Sequence, residues 1–393
     1  FLLSLFATTA QQMRQTQNFY QVYEISGSAF QLGLTGLAQG IPIFALGLFG
    51  GTLADFVDRK KLLLITTAGN LLVAVALAIL TIIGAIQVWH ILVGTALTSA
   101  LNIVLNPARM AMISHLVPRS HLTNAVSLNS SVSQASHFVG PMAGGLSLAW
   151  LSTGNAYLLN ALLYIPAALA IVLLKAPPAG DNGRETFSMI SILGGVRFLF
   201  SQPIVFALVM LDFIIVGVGY YRPLLPIFAK DILFVGPAGF GMLSSAPAIG
   251  GIFGTIAVLM FGDIKNKGLM ALWSFLSYAL ALGVFALSTN FSLSLLLLGI
   301  LGLANSLQAV MRQTSFHLLT PDHLRGRAFS VFNMFSQGAN AVGATEVGFM
   351  AALIGTPGSL ILGCAVGALL TLSCWALWPG LRTFSSDAAP SRA

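Results

Sequence analysis

The chain has 393 residues, 56% hydrophobic and only 7% charged, with a mean hydropathy of +0.89, which excludes a water-soluble enzyme or signalling domain and indicates an integral membrane protein. Its net charge of +7 comes from basic residues scattered through short loops, not gathered into an arm or patch, so no nucleic-acid partner is expected. Cys364 and Cys374 lie about 15 Å apart along one apolar segment, too far to bond to each other, and read as small apolar side chains.

Uncharged runs of about 20 residues, each long enough to cross a bilayer as a helix, recur along the whole length. Breaks at polar, Gly and Pro signals predict twelve spans: 1–23, 29–53, 61–84, 87–112, 122–150, 154–174, 203–229, 238–261, 268–288, 291–314, 325–353 and 357–379. No cleavable signal is read before span 1, and the chain opens on Phe1 instead of Met, so its natural start is expected upstream. Span 1 contains AQQMRQTQN, in which Gln11, Arg14, Gln15 and Asn18 follow the i, i+3, i+4, i+7 spacing of one helix face. Gln12 and Gln17 flank that face. The stretch reads as the polar wall of a transport pathway, with Arg14 at its centre.

The basic residues give the orientation. Arg59, Lys60, Lys61, Arg109, Arg119, Lys175, Arg184, Arg197, Lys265, Lys267, Arg312, Arg325, Arg327, Arg382 and Arg392 fall on even-numbered loops, their flanks or the C-terminal tail, and Lys230 is the exception. The even loops and both termini are therefore predicted to be cytoplasmic. The longest connection, from Lys175, begins KAPPAGDNGRETF and continues as SMISILGGVRFLF. It reads as a cytoplasmic linker with an amphipathic surface helix. The expected organisation is an N-terminal six-helix bundle over 1–175, the linker over 176–202, and a C-terminal six-helix bundle with a short tail over 203–393.

The halves repeat. Asn102, Arg109, Ser133, Gln134, Val139 and Gly140 recur 203 positions later as Asn305, Arg312, Ser336, Gln337, Val342 and Gly343, and HLVPRSHL (115–122) returns as HLLTPDHL (317–324). Such internal similarity is the signature of a transporter built from parallel repeats, with its site between them near the midplane.

Three stretches carry a family resemblance. GGTLADFVDRKK (50–61) follows Gly47 and Gly51, a small-xxx-small pair that lets helices approach closely. It resembles the signature loop of the major facilitator superfamily at Gly51, Leu53, Ala54, Asp55, Arg59, Lys60 and Lys61, with Phe56 where Arg is usual and Asp58 where Gly is usual. GDIKNKG (262–268) is its degenerate echo. SHFVGPMAGG (136–145) carries Gly140, Pro141, Gly144 and Gly145, which weaken and bend a helix while clearing one face for close packing. It is similar to the superfamily's antiporter motif, with Ser136 in place of the preferred Gly; a generic packing kink is the alternative. NPARMAMISHLVPRSHLTNAVSLNSSVSQ (106–134) and PDHLRGRAFSVFNM (321–334) resemble the exporter subgroup that includes enterobactin exporters and macrolide efflux proteins. The mid-span Arg of other drug exporters is absent, since Arg109 lies at the cytoplasmic end of span 4.

The resemblance implies an all-α integral membrane protein with twelve transmembrane helices in two pseudo-symmetric six-helix bundles, the major facilitator fold. It also implies a cytoplasmic gate at Gly51, Asp55, Arg59, Lys60, Arg325 and Arg327. Apart from Lys61 at the very edge of span 3, spans 3, 6, 9 and 12 contain no Lys, Arg, Asp or Glu, whereas Arg14, Asp212, Arg222 and Glu346 fall in spans 1, 7 and 11. Uncharged helices suit lipid and charged ones a cavity. Asn102, Asn106, Tyr220, Asn305 and Gln308 extend the expected pathway, although helix-to-helix hydrogen bonding accounts equally well for any one of them. A charge at the bilayer centre costs about 3 kcal/mol, so Arg14 needs a partner. Asp212 or Glu346 is the expected proton-coupling carboxylate, tuned by Arg14; a static buried ion pair is the alternative. His90 and His137 read as polar helix contacts. Tyr20, Tyr23, Tyr220 and Tyr221 read as an interfacial belt or as cavity walls.

The expected function is secondary active export of a small organic or amphipathic molecule, such as a siderophore, macrolide or other drug, by proton antiport and alternating access. The setting is the bacterial cytoplasmic (inner) membrane, the partners are substrate, protons and lipids, and the protein is expected to act as a monomer. No phosphate-binding loop, metalloprotease or hydrolase motif or paired-cysteine site occurs, so neither enzyme activity nor a cofactor or metal is expected. An importer or facilitator of a nutrient or ion, and a non-transporting membrane scaffold, are the rival readings.

Overall fold

The computed structural model describes residues 1–47, 58–174, 203–261, 266–320 and 325–377. Long apolar runs have no water to satisfy their backbone in a bilayer, and the helix is the local solution. Accordingly, no strand occurs among the described residues. Among the described residues, twelve long helices are α1 (Leu2–Ser26), α2 (Ala29–Leu46), α3 (Arg59–Ile82), α4 (Val88–Leu116), α5 (Leu122–Trp150), α6 (Thr153–Val172), α7 (Pro203–Val218), α8 (Gly236–Phe261), α9 (Lys267–Ala286), α10 (Phe291–Leu319), α11 (Arg325–Ile354) and α12 (Thr356–Leu377). A single turn at Leu225–Ile227 makes a thirteenth.

Local chemistry sets the ends. Gly27 closes α1 in the left-handed conformation, φ 60°, its N–H donating to the Tyr23 carbonyl. The Asp58 carboxylate accepts from the backbone of Lys60 and Lys61 and so caps α3.

Eight helices, α2, α3, α4, α6, α8, α9, α10 and α12, are long and apolar enough to cross a membrane. α1, α5 and α11 fall outside that set through their polar content, and α7 through its 16 residues. Span 7 was expected to run to residue 229, but it breaks at Val218. A 3-10 turn at Arg222–Leu224, the turn at Leu225–Ile227 and a π turn at Phe228–Ile232 follow. Gly219 loosens the helix there, and Pro223 and Pro226 each remove a backbone N–H.

Two compact units divide the chain: Phe1–Phe187 with Pro226–Ser245, and Ser188–Leu225 with Ala246–Ala393. Within the first, α1 packs on α5 and α6, α3 on α4 and α6, and α2 on α4. In the second, α7 packs on α11 and α12, and α9 on α10 and α12. α8 meets α10 backbone to backbone, Gly250 at Gly299 and Gly302 at Pro247. Each pairing is the first set advanced by six helices.

Apolar stripes remain on the outside of α6 (Leu158, Leu162, Ile165, Leu169) and α9 (Trp273, Leu280, Val284). Exposed apolar surface on this scale suits hydrocarbon, not water.

Candidate functional site

The polar stripe of α1 divides in the fold. Arg14 is 3% exposed. Its guanidinium donates to Asn70 Oδ1 at 3.0 Å and to the Asn70 carbonyl at 3.4 Å, and lies 5.8 Å from the centre of the Tyr164 ring. These amide and ring groups on α3 and α6 are its immediate neighbours within the first unit. Gln17 donates to Ser147 and to the Ala156 carbonyl, Asn18 donates to Thr95 and accepts from Tyr157, and Gln21 donates to Thr81. Gln12 bonds the His137 ring. The stripe therefore ties α1 to α3, α4, α5 and α6 with bonds that water cannot contest. Gln11 and Gln15 remain half-exposed on the open side of α1.

Facing polar groups sit on α4. Asn102 is half-exposed, and Asn106 accepts from Arg109 Nη2 at 3.2 Å. Arg109 Nη1 donates to Thr8 of α1 at 3.0 Å.

In the second unit the repeat counterpart of Arg109 is differently placed. Arg312 forms an ion pair with Asp212 of α7 and approaches Ser336 of α11 at 3.4 Å. Gln308 donates to Asp212 at 2.5 Å. Asp212 thus has a cation and an amide on α10, and it is 4% exposed. Its cationic partner within the second unit is Arg312.

Glu346 on α11 differs. It is half-buried, and its Oε2 has no hydrogen-bond partner among the described residues. Asn305, by contrast, is exposed on α10. Tyr220 is buried beside Arg222, Tyr221 and Tyr278, and the Tyr278 hydroxyl donates to the Gly219 carbonyl at the break after α7.

Of the expected gate, Gly51 and Asp55 lie outside the described residues, as do the side chains of Arg325 and Arg327, which open α11. Arg59 is half-exposed. The Lys60 ammonium donates to the Val172 and Leu174 carbonyls at the end of α6, at 2.9 and 2.7 Å, a favourable cation at a helix C-terminus. In the antiporter-like motif, a Cβ on Gly140 would lie 2.6 Å from Gln12 Cβ and 2.9 Å from the Thr9 carbonyl. One on Gly144 would lie 3.0 Å from the Met13 carbonyl, and one on Gly145 would overlap the backbone of Gly241. Buried Pro141 sits among them. These residues let α5 touch α1 and the start of α8 at backbone distance.

Sequence reasoning passed over the exposed polar face of α5, formed by Asn124, Ser127, Ser131 and Gln134, and its counterpart Asn333 and Gln337 on α11. The i, i+3, i+7, i+10 spacing was the available signal. Asn70 and Tyr164, the partners of Arg14, carried no such pattern. Among the described residues no cluster of His, Cys, Asp or Glu could hold a metal, and both cysteines are free.

The family described as "Transmembrane secretion effector" matches residues 1–393. The multidrug efflux pump Tap of Mycolicibacterium fortuitum is 24% identical over 346 residues, 84% of this chain and 83% of Tap. The enterobactin exporter EntS of Escherichia coli O81 (strain ED1a) is 26% identical over 353 residues, 89% of this chain and 83% of EntS. Among solved structures, the nucleoside transporter NupG aligns with a TM-score of 0.76 at 15% identity, covering 96% of this chain and 99% of that one. A bacterial homolog of the human lysosomal transporter Spinster aligns at 0.73 and 14% identity, covering 100% and 98%. Those two likenesses show the fold alone. With the whole chain matched, an all-helical fold and charged groups held inside its helix bundles, the protein belongs to the transmembrane secretion effector family of major facilitator membrane transporters, and not to an enzyme family.

Proposed function

We propose that the chain is a proton-coupled exporter of a small organic or amphipathic molecule, acting as a monomer in the bacterial cytoplasmic membrane with both termini inside. The twelve long helices among the described residues serve as twelve spans in two six-helix halves that alternate access to a polar pathway, and the apolar outer stripes meet lipid. The observation that carries export is the similarity over most of the chain to two exporters, Tap and EntS. The pathway is built from Gln11, Gln15, Asn102 and Asn305, the expected polar residues that stay accessible. Coupling falls to Glu346. Asp212 is held by Arg312 and Gln308, whereas Glu346 has a buried oxygen with no hydrogen-bond partner among the described residues, so no neighbour described there fixes its charge state. The glycines of the antiporter-like motif and the Lys60 contact form the sliding and latching surfaces of that cycle.

The test is dye efflux from bacterial cells stripped of their own pumps. Cells expressing the chain should accumulate less of at least one aromatic dye than controls, and a protonophore should abolish the difference. Equal accumulation across a broad panel of dyes and siderophores, or efflux indifferent to the protonophore, contradicts the proposal.

A further inference from the structure

The two halves treat one repeated arginine differently. Arg312 Nη1 meets the carboxylate of Asp212 on the first helix of its unit, so the two charges cancel. Arg109, 203 positions earlier, sends its Nη1 to the hydroxyl of Thr8 on the first helix of the other unit. Thr8 thus takes the place of Asp212, a neutral acceptor for an anionic one. Asn106 supplies a second neutral acceptor. Both arginines leave Nε without a partner, so the difference between them is the missing counter-charge.

No other described acid of the first unit fills that role. Asp58 caps α3, Asp231 accepts from Tyr23, and Glu24 lies exposed at the end of α1, where Thr153 donates to it. A guanidinium packed between α1 and α4 at the cytoplasmic end of span 4 is costly to the extent that it is shielded from water without an opposite charge. Thr8 and Asn106 orient the fork and occupy two of its donors, yet leave its charge intact. Arg109 is half-exposed, and Gln11 lies one turn from Thr8 as Asn102 does from Asn106, both also half-exposed. A cation bordered by neutral amides is a seat for an organic oxyanion, which a guanidinium engages through paired hydrogen bonds.

We propose that Arg109, with Thr8 and Asn106, is an anion seat that takes the carboxylate or phenolate group of the cargo, making the transporter selective for anionic over cationic molecules of the same shape. This rests on the reading of the chain as a transporter of small organic molecules.

Two xanthene dyes of similar shape and opposite charge, anionic fluorescein and cationic rhodamine 123, whose carboxyl is blocked as a methyl ester, test it by fluorescence anisotropy on the purified full chain in lipid nanodiscs. Fluorescein should bind at least about tenfold tighter than rhodamine 123, and Arg109→Gln should remove that preference. Thr8→Asp, which gives Arg109 the internal partner that Arg312 already has, should do the same while adding an ion pair to the fold, so the proposal stays testable if Arg109→Gln fails to fold. Equal or tighter binding of rhodamine 123, or fluorescein affinity unchanged in both variants, overturns the seat. Efflux in cells is read separately: dye export with affinity indifferent to both variants sinks the seat and leaves export standing. No export alongside Arg109-dependent binding of fluorescein leaves the seat and sinks export.

Discussion

Asp212 and Glu346 show how differently one functional group behaves inside a helix bundle. Asp212 is closed in by Arg312, Gln308 and Ser336, and removing its charge leaves a buried guanidinium uncompensated. Asp212→Asn should therefore lower stability by about 3 to 5 kcal/mol, while Asp212→Asn with Arg312→Met should recover most of the loss. Thermal melting of the four proteins of that cycle in detergent checks it; equal losses in the single and double variants would contradict the pair's structural role. Glu346 has no such network among the described residues, so Glu346→Gln should leave the melting temperature nearly unchanged and act on transport instead. Arg14 belongs with Asp212 in being enclosed, although its fence is an amide and a ring.

At the scale of the helix, close approach depends on which partner lacks a side chain. At the crossing of α8 and α10, a Cβ on Gly250 would overlap the Gly299 carbonyl, and one on Gly302 would overlap the Pro247 carbonyl. A Cβ on Gly299 would meet only the Ala246 carbonyl, at 4.0 Å. Gly250→Ala should thus cost about 1 to 3 kcal/mol through overpacking. Gly299→Ala should be neutral or gain up to about 1 kcal/mol from helix propensity. Melting temperatures of the two variants decide this, and equal damage from both would show that the crossing is looser than described. The helices themselves were legible in the sequence, because an apolar run of membrane length admits few other conformations. The break after Val218 was not, since Gly219, Pro223 and Pro226 mark a weak helix without saying whether packing will hold it straight. The split of the α1 stripe was equally hidden. Gln11, Arg14, Gln15 and Asn18 span about 100° of helix surface. Periodicity gives that face but not its neighbours, and neighbouring helices cover Arg14 and Asn18 while leaving Gln11 and Gln15 open.

For the whole molecule, the repeat at an offset of 203 was the strongest signal in the chain, and the matching helix pairings of the two units are its physical form. What the repeat could not reveal is where the halves diverge in charge. Thr8 and Asp212 lie on first helices whose alignment fixes neither as the partner of the repeated arginine; only the contacts do. The central claim, outward movement of cargo driven by protons through Glu346, is a statement about direction and coupling. It is tested most directly in inside-out membrane vesicles acidified within, with uptake of an exported dye as the readout. The account predicts dye accumulation that collapses with the pH gradient and is lost in Glu346→Gln, while Asn305→Ala retains gradient dependence. Accumulation that persists after the gradient is removed, or that Glu346→Gln leaves intact, would contradict it.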